Sequence, residues 1–325
     1  MYIKYIFSKV KKSFFKSLDL VIFFQQVLLK KRLVPVSVYI ETTNTYNANC
    51  VFCAYQFYNA KKTKMSLDYL KKLLNEMSLL KIDKVNLTPL LGEIFADNDI
   101  VEKLELVGSK NFKYFSTYTN LINIKEKDIE RILNSGLTTI YISASPLDEG
   151  LYEMIYRSKQ YKNFLNNLIL LLDVFSKLEN KTVKKIKLEF RSTMSLSDCQ
   201  KLDDYRLIES LVTDDVEVAV MQTFDSWMGA IQKEDLIDGM MLAKPNGKKI
   251  IPCNRLNNIQ VLANGDIRAC GCRVNTNTNE DIFLIGNIDN ISISDAYNSQ
   301  KVIGIKKSFL RNNPPEECQK CSWYS

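Results

Sequence analysis

Histidine is absent from all 325 residues. Its absence removes the usual general base near neutral pH and the usual nitrogen ligand for zinc. Acid–base work therefore falls to carboxylates, Lys, Tyr or Cys, and any metal must be held mainly by thiolates. No uninterrupted apolar run is long enough to cross a bilayer. No aromatic-interleaved basic motif of the kind that grips nucleic acid is present, so no nucleic-acid partner is expected. Internal repeats, low-complexity linkers and a signal peptide are missing too, which makes a reduced, cytoplasmic setting the expectation.

What is present is ordinary in bulk and unusual in detail. With 46% hydrophobic and 25% charged residues, the composition is that of a globular protein, and the length suits one large domain plus a smaller one. Such a core needs no staples, so the eight cysteines call for another explanation. They are Cys50, Cys53, Cys199, Cys253, Cys270, Cys272, Cys318 and Cys321, and close pairs in a reduced chain point to metal or cluster binding rather than disulfides. The formal net charge is +7, with basic residues dense in "KVKKSFFKSLDLVIFFQQVLLKKR". Residues 1–35 thus read as a basic amphipathic helix. It suits peripheral contact with a membrane surface, or packing against the main domain with its lysines in water, and the second reading is preferred.

From residue 36 to 230 the pattern alternates. Runs rich in β-branched and aromatic residues ("VSVYIETT", "KVNLTPL", "FKYFSTYT", "TTIYISAS", "KKIKLEFRST", "VEVAVMQT") are separated by amphipathic stretches. Near-continuous apolar strands suit a parallel sheet buried on both faces, with right-handed crossovers. Ser66 is placed to cap the helix in "SLDYLKKLLNEMSLL", and Gly136 to end the one in "KDIERILNSG". One helix is expected over 198–212. Functional groups then gather at the C-terminal ends of the strands, whether the sheet is open or a partial barrel.

Residues 231–325 have a different texture: short strands broken by Asn-rich turns, with a hairpin predicted in "VLANGDIRAC" around Asn264-Gly265. Five cysteines fall here. Cys253, Cys270, Cys318 and Cys321 supply four thiolates, enough for a tetrahedral zinc or a 4Fe-4S cluster. Cys272 is a spare, read as a small buried residue.

The loop "ETTNTYNANCVFCAY" after the first strand resembles the cluster loop of the radical S-adenosylmethionine (radical SAM) family, a C-x3-C-x2-C motif preceded by Thr-Asn. Thr43, Asn44, Phe52, Cys50 and Cys53 match, and Tyr46 stands at the first cysteine position. Further along, "LLGEIFADND" resembles the family's Gly-Gly-Glu-Pro segment through Gly92 and Glu93. "STYTN" resembles Thr-Asn-Gly through Thr119 and Asn120. "YISASPLDEGLYEMIYR" resembles the next motif through Ser143 and Arg157. The later cysteines resemble the Twitch form of the SPASM auxiliary-cluster domain.

The resemblance implies a partial (β/α)6 TIM-like barrel with a small α+β cluster-binding domain. It also implies S-adenosylmethionine bound to a 4Fe-4S cluster at the mouth, an auxiliary 4Fe-4S cluster, and an electron donor such as flavodoxin or ferredoxin. One-electron cleavage of SAM there yields a 5′-deoxyadenosyl radical that takes hydrogen from a peptide, sugar or other small molecule. On this mapping Glu93 meets the SAM ammonium, Asn120 and Ser143 the ribose, and Arg157 or Arg191 the carboxylate. The two arginines read equally well as surface ion pairs. Trp227 lines the mouth or caps the core.

Tyr46 leaves three outcomes open. The chain is a silent relative, or a third ligand (Tyr46 itself, or Cys199) completes the site, or the loop holds no cluster. A zinc-stabilised binding protein is the competing class. It accounts for the later cysteines but not for the motifs after successive strands.

Overall fold

The computed structural model describes residues 18–245, 249, 251–271 and 281–322, so Cys272 and the first part of the basic N-terminal segment lie outside the described residues. Strands β1 (Val38–Ile40), β2 (Lys84–Leu87), β3 (Tyr114–Thr119), β4 (Thr139–Ala144), β5 (Lys185–Arg191) and β6 (Val216–Met221) lie side by side in chain order, all parallel. Between them run α1 (Leu67–Leu79), α2 (Ile100–Gly108), α3 (Ile129–Leu133), α4 (Glu149–Tyr156) and α5 (Tyr161–Lys177). This is the partial (β/α)6 arrangement that the alternating pattern anticipates.

Local chemistry explains the helix ends. The Ser66 hydroxyl accepts the Tyr69 N–H at 3.1 Å, and Leu70, Leu73, Leu74 and Met77 form the buried stripe of α1. The single helix expected over 198–212 is instead broken into α6 (Leu196–Cys199) and α7 (Arg206–Glu209), because Leu202 adopts extended backbone between them.

The strands are not equally apolar on both faces. Ile140, Ile142 and Ala144 of β4 and Ile186, Leu188 and Phe190 of β5 share one buried cluster with Leu168 and Leu172 of α5. The alternate positions face the other way. Register puts Tyr118, Tyr141 and Lys187 in one row and Ser143 beside Glu189 in the next. Tyr118 and Tyr141 stack at 4.3 Å. The inner face is thus polar and half-buried, where an apolar one was expected, because it lines the space that the sheet curves around.

Two short strands, β7 (Thr223–Phe224) and β8 (Met241–Leu242), pair with each other. Then β9 (Ile259–Val261) joins the main sheet parallel to β1, with Val38 opposite Ile259, and β10 (Asp266–Arg268) and β11 (Leu284–Asn287) continue it antiparallel. The result is one nine-stranded sheet. The hairpin turn falls on Asn264-Gly265. Gly265 has φ +86°, and a Cβ there would stand 2.4 Å from the Tyr69 hydroxyl of α1, so both conformation and space require glycine. Helices α8 (Ile293–Tyr297), α9 (Gln300–Leu310) and α10 (Glu316–Lys320) complete the chain.

Residues 18–28 are helical, the last turn widening to a π-helix at Phe24–Leu28. Its buried Gln26 donates to the Tyr297 carbonyl at 2.9 Å and accepts from Lys306 of α9, which also reaches Asn257 at 3.2 Å. The helix is therefore tied to the C-terminal elements by polar contacts inside the protein.

Glu41, just past β1, is the buried carboxylate at the junction. It accepts the Leu90 N–H at 3.0 Å from the loop after β2 and the Ala263 N–H at 3.3 Å from the β9–β10 hairpin. Burial lifts its pKa to about 7, against the lowering effect of those hydrogen bonds. The folded protein thus keeps a proton that the unfolded chain gives up. The contribution is whole below the unfolded value of 4.5 and is lost as pH rises to about 7. Denaturant titrations should show the unfolding free energy falling across that window, with up to about 3 kcal/mol from this group. Glu41→Gln should reduce the slope and leave the part that Glu93, raised by burial in the same way, contributes.

Candidate functional site at the barrel mouth and the C-terminal cysteines

The loop after β1 is fixed before any ligand arrives. Asn44 accepts the Thr63 N–H at 2.7 Å and donates to the Lys61 carbonyl at 2.9 Å, while Thr43 donates to the Thr63 carbonyl at 3.1 Å. The Thr-Asn pair thus clips the two ends of the loop together. Farther along, the Asn49 and Val51 N–H groups donate to the carbonyls of Tyr156 and Ile155 at the end of α4. Within this frame Cys50 and Cys53 are buried, joined by a turn in which the Cys53 N–H meets the Cys50 carbonyl at 3.1 Å.

Tyr46 lies with them. Its hydroxyl is 3.6 Å from the Cys50 sulfur, and its ring packs on Tyr55 at 4.9 Å. Burial holds the phenol well above its usual range, and the neighbouring Cys50, Cys53 and Glu93 push it the same way. Burial and Cys53 likewise raise the Cys50 thiol. The loop therefore presents two thiols and one protonated phenol, whereas a three-thiolate cluster site needs three soft anionic donors. The fit is met at two positions of three. Cys199 does not supply the third: it packs in the core with the Ser192 hydroxyl 3.9 Å away.

The next loop brings Glu93 to the same mouth. Gly92 is required there, since a Cβ would sit 2.5 Å from the Thr43 carbonyl oxygen. The fully enclosed Glu93 carboxylate accepts from the Thr119 hydroxyl at 2.5 Å, the Asn120 N–H at 2.9 Å and the Phe95 N–H at 3.3 Å. Burial still lifts its pKa to about 7. The Phe95 contact caps a short helical turn, but a carboxylate buried at this cost is more than a cap requires. Asn120 donates its side-chain N–H to Asn47 at 2.7 Å and accepts from the Ile122 N–H. Beside it, the Asn47 side-chain nitrogen is buried with no partner. An orphaned donor next to a buried carboxylate is the inner surface expected of a pocket for a zwitterionic ligand.

Across the mouth, Ser143 is 3.0 Å from the Tyr156 hydroxyl and receives the Arg191 Nε–H at 3.4 Å. Arg191 is engaged by Glu189 at 2.9 Å and by the Met221 sulfur. Arg157 points elsewhere: it ends α4 in left-handed backbone, and its side chain donates to Gln56 at 2.9 Å in an exposed position. Glu93, Asn120, Ser143 and Arg191 thus belong to the inner mouth, and Arg157 to its outer edge. Phe52 stacks on Phe224 at 5.3 Å, and its carbonyl accepts the Trp227 indole N–H at 3.0 Å. Trp227 therefore clamps the cysteine loop.

The C-terminal cysteines come together from three segments. Cys253 precedes a short helical turn, Cys270 follows β10, and Cys318 and Cys321 flank the end of α10. Burial raises the Cys318 thiol, and Cys270, Cys253 and Cys321 add to the rise, so the four lie within electrostatic reach of one another. Buried Arg268, paired with Asp281, donates to the Cys270 carbonyl at 2.6 Å and fixes the backbone at that cysteine. Lys249 is buried beneath the C-x-x-C turn and donates to the carbonyls of Cys318, Gln319 and Cys321.

Among the described residues no three His, Cys, Asp or Glu side chains are grouped closely enough to hold one metal ion. A single zinc draws its thiolates to about 3.8 Å of one another, from Zn–S bonds of about 2.3 Å. A cubane spreads four thiolates over four irons, and four cysteines within electrostatic reach of one another supply enough donors for either centre.

Asn47, Lys249 and Glu41 carry no sequence signal of their own. Asn47 was legible only as a polar residue inside the cysteine loop, and Lys249 only as one of many lysines.

The half-barrel of parallel strands and the four-cysteine unit that follows it each match a known domain in sequence. Residues 40–183 match the family model of the radical SAM superfamily, and residues 253–322 match that of an iron-sulfur cluster-binding domain, SPASM. The chain thus carries a radical SAM domain and a SPASM domain. No curated protein matches it by sequence.

Solved structures of similar fold include BtrN in complex with AdoMet and 2-DOIA. The two are 12% identical with a TM-score of 0.57, over 90% of this chain and 94% of that one. Another is Streptococcus suis SuiB bound to precursor peptide SuiA, 14% identical with a TM-score of 0.60, over 83% and 66% of the two chains. A third is anSMEcpe with bound AdoMet and Cp18Cys peptide, 13% identical with a TM-score of 0.54, over 85% and 84%.

Two expectations follow from the geometry. Gly92→Ala forces the loops after β1 and β2 apart and should weaken SAM binding at least tenfold in equilibrium titration while leaving C-terminal iron in place. Lys249→Met should lower the iron retained by the C-terminal cysteines, and Lys249→Arg should preserve most of it, as read by iron analysis after desalting.

Proposed function

We propose that this protein is a radical SAM enzyme that binds S-adenosylmethionine at the barrel mouth and an auxiliary 4Fe-4S cluster through Cys253, Cys270, Cys318 and Cys321. The observation that carries the reading is the enclosed Glu93 carboxylate beside the unpartnered side-chain nitrogen of Asn47. Together they offer an acceptor for an ammonium and a donor for a carboxylate, the two groups of an amino-acid moiety. Ser143 and the inner-face tyrosines supply hydroxyls on the opposite side for a ribose, and Arg191, paired with Glu189, holds Ser143 in place there. A cluster held by Cys50 and Cys53 would supply the one electron that cleaves bound SAM reductively to methionine and a hydrogen-abstracting adenosyl fragment. The chain's own task is to orient the cofactor and keep out water.

The fold's likeness to BtrN, SuiB and anSMEcpe supports substrates of two kinds, since their structures are described with a small molecule or with peptides. We read the substrate as a small molecule or peptide entering over the row of Tyr118 and Tyr141, with electrons from a flavodoxin- or ferredoxin-type donor.

A second reading rests on Tyr46. A buried, protonated phenol against Cys50 is a poor cluster ligand. It favours a silent relative that keeps the SAM pocket and the auxiliary cluster. Anaerobic reconstitution separates the two. About eight irons per chain support an active enzyme, and about four support the auxiliary site alone. In the second case Tyr46→Cys should restore the missing iron and SAM cleavage. One bound zinc with no charge-transfer absorption would sink both readings.

A further inference from the structure

We propose that the N-terminal helix is a docking surface for an anionic lipid membrane. The helix shows two faces. Phe23, Gln26 and Val27 are buried against the C-terminal elements, and Gln26 is locked by Tyr297 and Lys306. The opposite face is apolar and in water: Leu18, Val21, Phe24 and Leu28 are each more than two-fifths exposed, at three- and four-residue spacing, with Leu29 continuing the row. A helix that served only to pack against the domain would turn polar residues outward at these positions.

Charge selects the occupant. Residues 1–35 hold eight Lys and Arg against Asp19 alone, so they contain the whole of the chain's +7, and the other 290 residues are neutral in sum. Lys30 and Lys31 are exposed at the end of the helix, beside the apolar row. Arg32 is paired with Asp295 at 2.6 Å, so the attraction rests on the seven lysines among those eight. The preceding residues continue the composition, with Lys4, Lys9, Lys11, Lys12 and Lys16 set among Tyr, Ile, Phe and Val. An apolar stripe bordered by lysines is the chemistry that enters the headgroup boundary of an anionic bilayer without crossing it. No helix among the described residues is long and apolar enough to span one.

The test is flotation of the full-length, cluster-loaded protein with vesicles of phosphatidylcholine containing phosphatidylglycerol, against vesicles of phosphatidylcholine alone. Binding is expected to the anionic vesicles, released by salt. Lys30→Gln with Lys31→Gln should weaken it by about 30-fold, and Phe24→Ser with Leu28→Ser should abolish it. These residues are exposed, so unchanged thermal unfolding and iron content show that the variants remain folded. Equal binding to neutral vesicles, or no binding at low salt, overturns the proposal. So does a concentration-dependent dimer that Phe24→Ser dissociates in the absence of vesicle affinity, because the stripe then serves a second copy of the chain.

Discussion

The Glu93 carboxylate is the point on which the mouth of the barrel turns. It has been taken out of water and receives hydrogen bonds from Thr119 and Asn120 after β3 and from Phe95 in its own loop. Its backbone N–H meets Thr45 of the cysteine loop at 2.9 Å, and Asn120 reaches Asn47 in the same loop. Three βα loops are thereby fixed to one another around Glu93, through its carboxylate, its backbone N–H and the neighbouring Asn120. Three hydrogen bonds do not fully offset the desolvation, as the raised pKa records. A neighbouring cation removes that deficit, which is the physical reason to expect an ammonium there.

A second junction sets the frame around the first. Glu41 ties the end of β1 to the loop after β2 and to the hairpin of the C-terminal unit. Backbone pairing of β1 with β9 joins the same parts. Trp227 holds the Phe52 carbonyl, while the neighbouring Ser226 N–H donates to the Ser322 hydroxyl next to Cys321. The two cysteine sites are therefore connected through one short loop, in which Trp227 and Met228 both take left-handed backbone. Strain held in that loop is consistent with its place between two functional sites.

Much of this was legible in the sequence, and the reasons differ by feature. The six parallel strands were readable because each is a local run of β-forming residues separated by an amphipathic helix. Ser66, Gly136 and the Asn264-Gly265 turn were readable because caps and turns are local chemistry. The union of β9 with β1 was not, since no residue pattern in 259–261 names a partner more than 200 positions away. The polar inner face was missed because Tyr, Thr and Ser count as strand formers whichever way they point. Asn47 and Lys249 gain their meaning from burial alone, which composition does not carry. Tyr46 is the reverse case: the sequence marked it as the exception, and the structure shows its hydroxyl 3.6 Å from the Cys50 sulfur.

The central claim is that the enclosed carboxylate at the mouth exists to receive the amino-acid end of SAM. Calorimetric titration of SAM into anaerobically reconstituted wild-type protein and into Glu93→Gln tests it most directly. The account predicts saturable one-to-one binding by the wild type and an affinity at least tenfold lower for the variant, with equal iron content in the two proteins. Equal affinities, or no SAM binding by the reconstituted wild type, would contradict it.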